Sequence, residues 1–349
     1  MLIKLLRARH KKYLNVLMLF VTGFLISSCG GIIEMPVKEI FIDKNWSIKT
    51  ENDSIRIVTD IPNEIHLDLY NNKVIEHPFF GDNEKRVQWV ADKNWIYEKD
   101  FDVDSSFLSN ENLELVFSGI DTYSEVCLNE KLILQTDNQF RQWNVDVKSI
   151  LKTSNNKLKI LIRSPFEIEN QKAKTYGFQP PSDSRIFTRK AAYVYGWDWG
   201  PRIVTSGIWK PVKLEGWNGP TLKDVFIIQD SLTERKAFLT AKFEIYSTKP
   251  DEITLFVYGN KQKLMTETGI QSINIKLEID YPDLWWPSGL GDQKLYAIDC
   301  SLIHSDFGVQ TITKKIGIRT IELVQEKDLF GKSFYFKVND IPVFMKGAN

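Results

Sequence analysis

Two tryptophans with a carboxylate between them, Trp197-Asp198-Trp199, are the residues of this chain whose types and spacing best suit chemistry. The CH faces of a sugar pack on aromatic rings while its hydroxyls donate to an anionic acceptor. Gly196 and Gly200 flank the triplet, and Pro201 closes it. Glycine opens backbone angles closed to other residues, and proline fixes the exit. The pattern therefore suits a sugar-binding turn. The bland alternative is a buried turn whose tryptophans are core, since most aromatics are interior.

Other chemistries lack their residues. The chain has no Gly-x-Ser-x-Gly elbow, no His-Glu-x-x-His and no glycine-rich phosphate loop, so no cofactor is expected. The histidines, His10, His66, His77 and His304, are scattered and show no metal-ligand spacing. Cys29, Cys127 and Cys300 make no disulfide framework. With 45 basic against 45 acidic residues, there is no electrostatic footprint for nucleic acid. At 349 residues, 43% hydrophobic and 12% aromatic, the chain has room and apolar content for two or three globular domains.

The residues around the triplet also carry a family pattern. Arg189-Lys190, Tyr195-Gly-Trp-Asp-Trp-Gly-Pro-Arg202 and Thr205-Ser-Gly-Ile-Trp-Lys-Pro-Val212 resemble the end of the N-terminal sugar-binding domain of β-mannosidases, in glycoside hydrolase family 2. The resemblance implies that Trp197, Asp198 and Trp199 bind the mannose at the non-reducing end of an oligosaccharide. It gives Asp198 a binding role, neither nucleophile nor acid. Family 2 enzymes retain configuration and use two carboxyl groups about 5 Å apart. The resemblance places both, as glutamates, on a barrel beyond residue 349, so no residue here is expected to be catalytic. The chain as given is expected to be an inactive N-terminal part of the enzyme. Two further readings stand beside this one. Another family 2 exo-glycosidase, such as an exo-β-glucosaminidase, shares the domain order. A non-catalytic carbohydrate-binding lipoprotein is the alternative from a different class.

The elements that must position the triplet read as short strands. Ile65–Leu69, Leu113–Phe117, Lys131–Leu134 and Leu158–Ile162 are apolar or alternating, with polar turns such as Thr153–Asn156 between them. No stretch from 40 to 217 sustains a helical period. The run from Pro78 through Asn83-Glu84, Gln88-Trp89 and Trp95–Tyr97 is too aromatic for a plain loop, and it too resembles the β-mannosidase domain. Gly216-Trp-Asn-Gly-Pro220 is a linker signal. Six further strand-like runs follow, at Val225–Ile228, Phe238–Ile245, Ile253–Val257, Ile273–Leu277, Leu295–Ile298 and Val309–Ile312. They have the rhythm of an immunoglobulin-like sandwich without the disulfide. Asp283-Leu-Trp-Trp-Pro-Ser-Gly289 resembles a Leu-Trp-Trp-Pro element of family 2, whose tryptophans we expect in interdomain packing. Asn339-Asp340 between two apolar runs predicts a hairpin.

The chain is therefore expected to be all-β. A jelly-roll sandwich would occupy 39–217 and an immunoglobulin-like sandwich 218–318. The start of a (β/α)8 barrel, incomplete here, would occupy 319–349. Ahead of them, Lys4, Arg7, Arg9, Lys11 and Lys12 precede a short apolar run from Tyr13 to Ser28. That is a signal peptide rather than a spanning helix. Ile26-Ser-Ser-Cys29 looks like a bacterial lipobox, with 1–28 removed, Cys29 lipidated and 29–38 a tether. Such a protein would be anchored by lipid in the bacterial cell envelope. The partners expected are mannose-terminated oligosaccharides and that membrane; oligomeric state stays open.

Overall fold

The computed structural model describes residues 34, 37–177 and 185–347. The leader, Cys29 and the terminal Ala348-Asn349 lie outside the described residues. The chain divides into two compact units between Thr221 and Leu222.

In the first unit two antiparallel sheets share one core. The larger has strand order β3-β2-β4-β9-β6-β7. Its strands are β2 (Trp46–Thr50), β3 (Arg56–Thr59), β4 (Trp95–Phe101), β6 (Tyr123–Leu128), β7 (Lys131–Asp137) and β9 (Asn156–Ile162). The smaller has order β1-β10-β5-β8, from β1 (Lys38–Phe41), β5 (Asn112–Phe117), β8 (Trp143–Asp146) and β10 (Val212–Trp217). Alternation decides which face is inside. On β9, Leu158, Ile160 and Ile162 are buried while Lys157 and Lys159 are exposed. Trp46, Ile48, Trp95 and Tyr97 from the larger sheet meet Leu113, Leu115, Phe117 and Leu214 from the smaller in a continuous apolar core. Each such side chain contributes about 1.5–3 kcal/mol on burial.

Helices interrupt this unit where strand and turn were expected. Ile65–Leu69 is not a strand but part of α1 (Ile65–Asn71). The Glu64 carboxylate caps it, accepting from the backbone N–H of Leu67 at 3.0 Å and of His66 at 3.2 Å. The apolar spacing Ile65 to Leu69 is i to i+4, which serves a helix as well as a strand, and the cap settles it. A helical turn, α2 (Asn83–Arg86), follows. A longer helix, α3 (Pro165–Tyr176), begins on Pro165 and ends on Gly177, whose φ of 65° is left-handed. Its buried positions Pro165, Glu169 and Ala173 lie four apart, but one of them is charged, so the apolar period is faint.

The second unit is also a pair of antiparallel sheets. One has order β11-β12-β15, from β11 (Thr221–Leu232), β12 (Lys236–Ser247) and β15 (Gly269–Asp280). The other has order β14-β13-β16-β17, from β13 (Glu252–Val257), β14 (Asn260–Met265), β16 (Tyr296–His304) and β17 (Gly308–Ile316). β12 and β15 pair along their whole length, from Lys236 opposite Asp280 to Ser247 opposite Gly269. The apolar pattern misses β14, an edge strand of sequence Asn-Lys-Gln-Lys-Leu-Met. A solvated edge needs no apolar face. Cys300 is buried here, and Cys127 in the first unit is also a free thiol.

Trp285 and Trp286 lie against their own unit. The Arg319 guanidinium stacks 4.9 Å from the Trp285 ring centre, and Trp285 N–H donates to the Ile318 carbonyl at 2.8 Å. The last described stretch is a small antiparallel sheet of β18 (Ile321–Val324), β19 (Tyr335–Val338) and β20 (Ile341–Val343). The expected hairpin is present, with φ of 50° at Asn339 and 66° at Asp340, the signs that the twist of a two-residue hairpin demands. Phe344 to Gly347 carries no strand.

Candidate functional site

The triplet occupies the tip of a tight hairpin in the first unit. Trp197 N–H donates to the Gly200 carbonyl at 3.1 Å, and Gly200 N–H returns a bond to Trp197 at 3.2 Å. Asp198 and Trp199 are thereby left at the turn. Tyr195 and Arg202 pair one step below it. Gly196 adopts φ 94°, which its position requires, whereas Gly200 does not take a positive φ. The buried-turn alternative fails on exposure. Trp199 keeps 85% and Trp197 54% of its accessible surface, and Asp198 is exposed. No hydrogen bond or ion pair engages the Asp198 carboxylate among the described residues.

A frame of buried and half-buried side chains holds this exposed tip. Glu84 at α2 accepts from Arg202 N–H at 2.6 Å. The Gln88 side chain donates to the Arg202 carbonyl at 2.7 Å, and its amide oxygen accepts from the Arg202 guanidinium. That guanidinium also lies 5.0 Å from the Phe166 ring centre. Tyr195 donates its hydroxyl to Glu169 of α3, which accepts from Thr188 as well, at 2.7 Å. Burial, with the Glu169 carboxylate next, pushes the Tyr195 phenol above its ordinary range, so it stays a donor. Lys190 makes a fully buried ion pair with Asp121 and donates to the Thr205 carbonyl at 2.7 Å. Burial pulls the Lys190 ammonium below the ordinary lysine range, against the pull of Asp121. Thr205 donates its hydroxyl to Asp121 Oδ2, one of the two oxygens Lys190 holds, at 2.7 Å. Gly207 then passes so close to the chain before α1 that an added Cβ would lie 2.9 Å from the Asn63 carbonyl.

Two concavities flank the hairpin. Glu84, Arg185, Asp198 and Arg202 line an open polar groove of about 520 Å3, with the Arg185 guanidinium 5.8 Å from the Trp197 ring centre. Phe79, Tyr193, Trp197 and Trp199 line a second, smaller and apolar one. Of the residues singled out by sequence, Trp197, Asp198 and Trp199 are together at the tip, and Cys29 lies outside the described residues. Asp121, Glu169 and Gln88 were not foreseen as parts of the site. The signals were present, in Lys190 within the motif and in the run around Glu84 and Gln88. Nothing in sequence spacing tied either to the hairpin.

A projecting aromatic hairpin on a β-sandwich, followed by a second sandwich of seven strands, defines an all-β, two-sandwich chain with an exposed carboxylate between tryptophans. Residues 46–210 match the family "Glycosyl hydrolase 2 galactose-binding domain-like" and residues 222–319 match "Glycosyl hydrolases family 2". The chain belongs to glycoside hydrolase family 2. It is 34% identical over 305 residues to Beta-mannosidase B of Aspergillus niger, covering 82% of this chain and 35% of that protein. It is 33% identical to Beta-mannosidase B of Thermothelomyces thermophilus, covering 90% and 38%. Among solved structures it is similar to the Beta-D-Mannosidase from Dictyoglomus thermophilum, with TM-score 0.83, 39% identity, 89% of this chain and 40% of that one. An exo-chitosanase from Amycolatopsis orientalis shares the fold at TM-score 0.67 and 19% identity. The chain thus spans well under half the length of these relatives.

Proposed function

We propose that this chain supplies the substrate-binding N-terminal domains of an exo-acting β-mannosidase, which hydrolyses terminal non-reducing β-D-mannose with retention. The observation that carries the reading is the exposed, unpartnered Asp198 between two exposed tryptophans on a rigidly framed hairpin. Leaving a carboxylate and two indoles in water gives the fold nothing, whereas all three suit a sugar. Asp198 accepts hydrogen bonds from hydroxyls of the terminal mannose, away from the bond being cut. The tryptophans exclude water and strengthen those bonds. Similarity to beta-mannosidases at 33–39% identity, against 19% to the exo-chitosanase, favours mannose over glucosamine. A panel of aryl β-mannoside, β-glucosaminide and β-galactoside presented to the full-length enzyme tests the choice. Preference for either of the latter two overturns it. We also propose that lipid on Cys29 anchors the protein in the bacterial cell envelope, on the strength of the basic region, the apolar run and Ser27-Ser28 before the cysteine.

A further inference from the structure

Arg202, at the base of the hairpin, is held by a short stretch that lies far from it in sequence. Glu84 takes its backbone N–H at 2.6 Å, and the Gln88 amide donates to its carbonyl at 2.7 Å. The same amide donates again, to the Glu84 carbonyl of α2 at 2.7 Å. Its oxygen accepts from the Arg202 guanidinium. Gln88 thus spends two donations and an acceptance on joining α2 to the hairpin, a combination that a carboxylate cannot supply. The opposite side of the hairpin is tied separately, through Tyr195 to Glu169 of α3.

Gln88 is not part of the surface a sugar would meet. It is half-buried, and the described linings of the two concavities do not include it. Glu84 and Arg202 do line the polar groove beside Asp198. A change at either of those can act by contact with a ligand, whereas a change at Gln88 acts through the hairpin. The two bonds between Trp197 and Gly200 make the outer hairpin one piece, so a tilt at Arg202 moves Asp198 with it. A misplacement of about 1 Å, caused far from the reacting atoms, can cost on the order of a hundredfold in rate.

We infer that Gln88 is a positioning residue for sugar binding: its amide fixes the tilt of the hairpin and so the place of the Asp198 carboxylate against the substrate. The inference rests on the reading of Asp198 as a binding residue and adds the group that sets its place. A Gln88 that served the fold alone would affect stability and leave the kinetics of the folded enzyme unchanged.

The test is a double-mutant cycle in the full-length enzyme. kcat and KM for an aryl β-mannoside are measured on Gln88→Met, Asp198→Ala and the two combined, with thermal unfolding on the same preparations to confirm that each is folded at the assay temperature. Methionine keeps the length of glutamine without its hydrogen-bonding head. Gln88→Met should lower kcat/KM at least about tenfold. In the Asp198→Ala background the same change should cost less than about threefold, since the group it positions is gone. Gln88→Glu keeps an oxygen for the guanidinium but sets a carboxylate against two carbonyls, and it should lose activity likewise; if Gln88→Met does not fold, Gln88→Glu takes its place in the cycle. A folded Gln88 variant with native kcat/KM, or one with equal losses in both backgrounds, would overturn the inference, and an impaired Asp198→Ala would then leave the sugar reading standing. Native kcat/KM in Asp198→Ala would end both.

Discussion

Asp68, on the buried face of α1, ties the stability of the site's supporting helix to pH. Its Oδ1 accepts from Thr59 and from Asn63, each at 2.6 Å, while Oδ2 is buried without a partner. Burial pushes the carboxyl up to about 7, against the pull of those two hydrogen bonds. In the unfolded chain an aspartate titrates near ~3.9. Between these values the folded protein holds a proton that the unfolded chain has released. Stability from this group is therefore fully present below about pH 4 and is lost as pH rises to about 7, at about 1.4 kcal/mol per unit. The total reaches about 4 kcal/mol at most. Asp68→Asn keeps an oxygen for Thr59 and Asn63 and removes the titration. Urea unfolding of both proteins across that range should show them alike near pH 4, with the variant progressively more stable, by up to about 4 kcal/mol at pH 8. A difference independent of pH would refute the reasoning, because the proton would then not be held by Asp68.

Lys190→Met should cost about 3–5 kcal/mol, since it strands a buried Asp121, and Asp121→Asn added to it should restore part of that loss; a double-mutant cycle by chemical denaturation reads the coupling. Cys29→Ala should release the protein from the membrane fraction or leave it unprocessed, and mass spectrometry of the native protein should find lipid on Cys29. Purified residues 30–349 should not turn over aryl β-mannosides above the uncatalysed rate, because the paired carboxyl groups of a retaining glycosidase belong to the barrel in this family; turnover that survives controls for host enzymes would contradict this.

The all-β character was legible because alternation is a strong signal wherever one face of a sheet is buried, as along β9 and β12. The hairpin at Asn339-Asp340 was legible because few residues tolerate its angles. Ile65–Leu69 misled because five residues of apolar and polar alternation satisfy both periods, and the deciding contact is a cap from Glu64 just outside the run. β14 escaped because an exposed edge carries no apolar pattern. Within the site, the triplet announced itself by residue type. Its frame did not, because Asp121 reaches Lys190 and Glu84 reaches Arg202 across long stretches of chain that only the fold brings together.

The role of Asp198 is tested most directly by kinetics and thermal unfolding on one preparation of Asp198→Ala in the full-length enzyme, with an aryl β-mannoside as substrate. A hydrogen bond to a charged acceptor contributes about 1.5–3 kcal/mol, more where it positions the ring in the transition state. kcat/KM should fall at least about a hundredfold, while Tm stays nearly unchanged because the side chain is exposed and unpartnered. Near-wild-type kcat/KM, with or without a loss of Tm, would contradict the assignment of this hairpin to substrate binding.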